Sequence, residues 1–182
     1  LLFAFTPVIF GIQQFCEGLV WVGFENGHVE KYIIFSTIYL IFAVHLWPWY
    51  IPLTFRAIEE NKKNKRFLSY LTIIGCMHSI GNLILHYELL FSNKRNIVLI
   101  NQSIHHGYMS FNNTLALTFL GVYIIVISLT GMISTASMRI RFLPILIFLL
   151  SLMVFFIDIL ILISLWCFHS AITSIFIMVS IH

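Results

Sequence analysis

The sequence predicts an all-α fold, a polytopic transmembrane helix bundle in a single domain over residues 1–182, with six spans visible and seven in the intact chain. Three observations carry this. Of the residues, 60% are hydrophobic and 9% charged, against roughly 25% charged in a water-soluble domain, so lipid must solvate most of the apolar surface. Apolar runs long enough to cross a hydrocarbon layer of roughly 30 Å recur along the chain. The basic residues that give the net charge of +3 are gathered in short connections between those runs. There they orient a membrane protein and do not mark a nucleic-acid site.

The first span, residues 1–24, holds Gln13, Gln14 and Glu17 inside an otherwise apolar run. An unpaired carboxylate in hydrocarbon costs several kcal/mol, so this helix is expected to turn those three side chains toward other helices or a polar cavity. Gly11 and Gly18, seven apart, share a face suited to close helix contact. Residues 25–30 are short, polar and acidic, as a tight turn between antiparallel helices requires. The second span begins near Lys31 and passes His45 and Trp47-Pro48-Trp49-Tyr50-Ile51-Pro52 before reaching Glu59. Two prolines four apart remove two helical hydrogen bonds, which predicts a kink or break where neighbouring protein must satisfy the freed carbonyls. Residues 61–66, with Lys62, Lys63, Lys65 and Arg66, are expected to form a cytoplasmic loop.

The third span, residues 67–91, places Gly75, His78, Asn82 and His86 at steps of three, four and four, a polar stripe on one helical face. Residues 92–113 form the longest connection and contain Lys94, Arg95, His105 and His106. The fourth span, residues 114–134, is almost wholly apolar and is expected to face lipid or serve as scaffold. The 41 residues 142–182 are too long for one crossing, about 60 Å as a single helix. They divide into a fifth span at 142–161, carrying Asp158, and a short sixth at 167–181, carrying His169. With residues 62–66, Arg139 and Arg141 inside, alternate connections fall outside, Lys94 and Arg95 being the two charges against this arrangement. The chain opens Leu-Leu-Phe-Ala-Phe with no Met and no basic leader, so a preceding segment is expected.

Three stretches together resemble an uncharacterised bacterial integral membrane family, domain of unknown function 6629. They are residues 7–21, with Pro7, Phe10, Gly11, Gln13, Gln14, Glu17, Gly18 and Trp21; Trp47, Pro48 and Pro52; and Trp166-Cys167-Phe168. His105-His106 is similar to a His-His pair in that family. The resemblance implies one further span at the start, an N-terminus outside and a C-terminus in the cytoplasm, in a bacterial inner membrane. It implies no activity. His169 departs from the family, where an aromatic or small residue is expected.

The topology gathers Glu17, His28, His86, Glu88, His105, His106, Asp158, Cys167 and His169 in the outer half. A polar cavity around Glu17, lined by Gln13, Gln14, His78, Asn82, His86 and Asp158, is the expected site. Three functions suit it. The first is a structural or interaction membrane subunit, in which the polar groups join helices and the partners are the bilayer and a protein partner or second copy. The second is a metal-dependent intramembrane hydrolase, with zinc on His86, His105, His106 and His169 and Asp158 or Glu17 as carboxylate. His78 and His86 are eight residues apart, about 12 Å along a helix, and cannot share one metal. The third is a transporter or proton relay through Glu17, Gln13, His78, Asn82 and His86. Cys16, Cys76 and Cys167 have no metal-type spacing and read as core residues, with a Cys16–Cys167 disulfide as the alternative.

Overall fold

The computed structural model describes residues 2–91, 98–100, 103–105, 114–135 and 149. A 3-10 turn, Leu2–Phe5, leads into α1, Thr6–Glu25, with Pro7 in the first turn, where its missing N–H costs nothing. Asn26 and Gly27 turn the chain, Gly27 at φ +67°, a conformation that glycine adopts without a Cβ clash. Three helical stretches then follow without interruption: α2, Val29–Leu40; a π-helical segment, Ile41–Leu46; and α3, Trp47–Ile58. α4, Lys62–Phe91, is followed by a small hairpin of β1, Val98–Ile100, and β2, Ser103–His105. α5, Thr114–Ile133, completes the described elements.

Among the described residues, three helical stretches are long and apolar enough to cross a membrane: Leu2–Glu25, Val29–Ile58 and Lys62–Ile84. They match the first three predicted spans. In α5, which lies within the fourth predicted span, the described apolar stretch is Thr118–Ile133. Apart from Leu149, the predicted fifth and sixth spans lie outside the described residues.

Two expectations change in detail. The basic stretch is helix, not loop: the Asn61 side chain accepts the backbone N–H of Lys63 at 2.9 Å and of Asn64 at 3.3 Å. That cap starts α4 at Lys62, and Lys and Arg are good helix formers. Within the long connection, β1 and β2 pair antiparallel, Val98 opposite His105 and Ile100 opposite Ser103, so the described fold is helical with one short hairpin.

α1 packs on α2, α3 on α4, and α5 against both α3 and α4. The main core sits toward the α3 end, where Phe3, Phe10, Trp47, Tyr50, Phe55, Leu68, Tyr123 and Ile127 cluster. Phe10 stacks on Trp47 with centroids 4.0 Å apart, and Phe3 meets Phe55 edge-on at 5.8 Å. The outer faces are large and apolar: Val8, Ile12 and Phe15 on α1, and Ile73, Met77, Ile80 and Ile84 on α4 are all exposed. Such faces suit acyl chains, not water. No described atom lies within 4 Å of where a Cβ would stand at Gly11 or Gly18, so the helix contact expected there is not made among the described residues.

Candidate functional site

The two prolines organise the polar interior. Pro48 has no N–H, and in the π-helical register the carbonyl five residues back, that of Ala43, is left for another donor. Tyr123 Oη of α5 donates to Ala43 O at 3.0 Å. Two residues on, Ser79 Oγ of α4 donates to His45 O at 2.7 Å, while His45 Nδ1 lies 3.1 Å from Ser79 O. A carbonyl can only accept, so His45 carries its proton on Nδ1. Pro52 frees the carbonyl of Pro48 in turn, and α4 reaches it with bare backbone. A Cβ at Gly75 would collide with that carbonyl. The predicted break is therefore a change of helical register, held by side chains from two neighbouring helices.

The polar stripe on α4 faces inward where it is described. His78 and Asn82 are buried, while Ile73, Ile80, Leu83 and Ile84 are exposed. His78 Nε2 donates to Phe119 O at 2.9 Å, with its ring 5.2 Å from that of Phe119 and 6.2 Å from that of Tyr123. His78 Nδ1 has no partner among the described residues. His86 lies on α4, one face-repeat beyond Asn82, and its side chain lies outside the described residues.

On α1, Gln13 is fully buried and its Oε1 accepts the indole N–H of Trp47 at 2.7 Å. Gln14 is half-buried; the Nε2 atoms of both glutamines lack partners among the described residues. Glu17 is half-buried and engaged with a neighbour. Cys16 is buried and has no disulfide partner among the described residues, Cys167 lying outside them. Of the residues expected to line a cavity, Gln13, His78 and Asn82 are buried, Gln14 and Glu17 are half-buried, and Asp158 is outside the described residues. Of the metal set, His105 sits on β2 opposite Val98, while His106 and His169 are outside the described residues. Among the described residues no group of three His, Cys, Asp or Glu could hold a metal ion.

Sequence reasoning passed over Glu59. It follows α3 directly and is only 2% exposed. Its carboxylate accepts the backbone N–H of Thr135 at 2.7 Å, that of Asn61 at 3.0 Å, and the Thr135 hydroxyl. Asn64 Nδ2 donates to Ile133 O at 2.9 Å beside it. Burial pushes the Glu59 carboxyl up, but hydrogen bonds from Thr135, Asn61 and Ser134 outweigh it and hold the group below its ordinary value. The end of α5 is thereby tied to the turn between α3 and α4. The only signal in the sequence was a carboxylate just before a cationic run, which reads equally as a surface charge.

Comparisons with protein-family models, with curated proteins and with solved structures find no match to this chain.

Proposed function

We propose that this chain is a multi-pass integral membrane protein that works as a structural or interaction subunit, with a protein partner or a second copy in the bilayer. One observation supports the reading above the others: buried polar groups between the spans are engaged in helix-to-helix hydrogen bonds. Trp47 to Gln13, Ser79 and His45 to each other, Tyr123 to Ala43 and His78 to Phe119 each join different helices. Polar groups used in this way add specificity to helix association in lipid. The same proposal takes in six spans in this chain, a bacterial inner-membrane location with the C-terminus cytoplasmic, and the resemblance to domain of unknown function 6629.

Proton flux into sealed vesicles containing the purified protein and a trapped pH-sensitive dye tests the proposal. A structural subunit leaves the flux at the level of protein-free vesicles. A flux that Glu17→Gln abolishes, in a variant with unchanged helix content, would make the chain a relay and overturn the structural reading.

A further inference from the structure

We infer that the basic end of the molecule binds the phosphate headgroup of anionic phospholipids, in a patch that Arg56, Lys62, Lys65 and Arg66 form around Ser69. The inference rests on the membrane reading and adds a ligand to it. Arg56 lies in the last turn of α3, and its Nε donates to Ser69 Oγ of α4 at 2.7 Å. Ser69 Oγ donates onward to Lys65 O at 2.9 Å, which fixes the hydroxyl as the acceptor for Arg56. The guanidinium is therefore pinned across two helices. Among the described residues only its Nε is engaged, which leaves the terminal N–H groups for phosphate oxygens. Lys62, Lys65 and Arg66 precede Ser69 by seven, four and three residues, the spacing of one helical face. All three, with Arg56, are exposed.

The nearby carboxylates do little to neutralise them. Glu59 is turned inward to Thr135, leaving Glu60 as the exposed acid of this turn. Among the described residues the opposite end exposes Glu25, Glu30 and Lys31; Lys94 and Arg95, in the connection after α4, lie outside them. Position fixes the type of anion. The apolar stretch Val29–Ile58 ends here and Lys62–Ile84 begins here, so the patch stands at headgroup level. Phe67 and Tyr70, 43% and 56% exposed, follow Arg66 by one and four residues at the edge of the span, where aromatic rings suit the interface. Cations at the edge of a span attract anionic lipid at about 1 kcal/mol each, about five-fold in binding.

The test compares phosphatidylglycerol with phosphatidylcholine for binding to the full chain in mixed micelles, by the dissociation constant of fluorescently tagged lipid. Phosphatidylglycerol should bind more tightly. Arg56→Gln with Arg66→Gln should weaken that binding about 25-fold, at about five-fold per cation. Ser69→Ala, which frees Arg56 at unchanged net charge, should weaken it by a smaller factor, and Lys31→Gln at the other end should leave it alone. Equal binding of the two lipids, or no change in the double variant, would overturn the inference. So would displacement by millimolar inorganic phosphate, which would mark a site for a free anion, or by an acidic peptide, which would mark a protein site. A chain that stays in solution without detergent would instead refute the membrane reading itself.

Discussion

Glu59 shows how much one side chain can decide at the edge of a span. Its carboxylate stands in for the carbonyl that a continuing helix would have offered to Thr135. Hydrogen bonds to a charged group contribute about 1.5–3 kcal/mol each when one partner is removed. Glu59→Gln retains the shape but loses the charge, and should lower stability by about 2 kcal/mol in micelles, measured by thermal or denaturant unfolding. The pH dependence has a definite sign. Because the folded value lies below the ordinary 4.5, the stabilisation is complete above about pH 4.5 and is lost as pH falls through the lower folded value. Wild type should therefore weaken on acidification in that window, and the gap between it and Glu59→Gln should narrow. Gln13 makes a second case. Gln13→Leu would leave the Trp47 indole N–H buried without its acceptor, costing about 1–3 kcal/mol, and a red or blue shift in Trp47 emission should report the change. Retained stability in that variant would show that the bond contributes nothing.

At the scale of elements, the prolines and the glycine opposite them form one device. Gly75→Ala places a methyl against the Pro48 carbonyl, and overpacking of this kind costs about 1–3 kcal/mol. The variant should unfold more readily, with α3 and α4 separating first, as read by cross-linking between cysteines placed on the two helices. Tyr123→Phe removes only the donor to Ala43 and should cost less, about 0.6–1.7 kcal/mol for an interhelical bond in lipid. A Tyr123→Phe effect as large as that of Gly75→Ala would contradict this ranking. The inward turn of His78 and Asn82 was legible because helical periodicity is local. A distortion at Pro48 and Pro52 was legible because proline lacks a donor. The π-helical form of that distortion was not, because the donors that permit it, Ser79 and Tyr123, lie 34 and 80 residues from their acceptors. The helical state of residues 62–66 was missed because their charge suggested a loop, while the deciding feature was the cap from Asn61.

The described helices are apolar and run antiparallel, and the charges described at their two ends differ in sign. Tyr50 Oη donates to Leu2 O, Phe3 meets Phe55, and Glu59 holds Thr135, so the start of the chain, the turn between α3 and α4 and the end of α5 share one end. Lys62, Lys63, Lys65 and Arg66 sit there, and Glu25 and Glu30 sit at the other. Hydrophobic composition and the placement of charge made this arrangement readable before any contact was known. Thiol labelling in sealed vesicles tests it most directly, with Lys63→Cys and Glu30→Cys made separately in a chain whose Cys16, Cys76 and Cys167 are replaced by serine. Both positions are exposed, so a membrane-impermeant reagent should reach one from outside and the other only after the vesicles are opened. Labelling of both from the same side of the intact membrane would contradict the account.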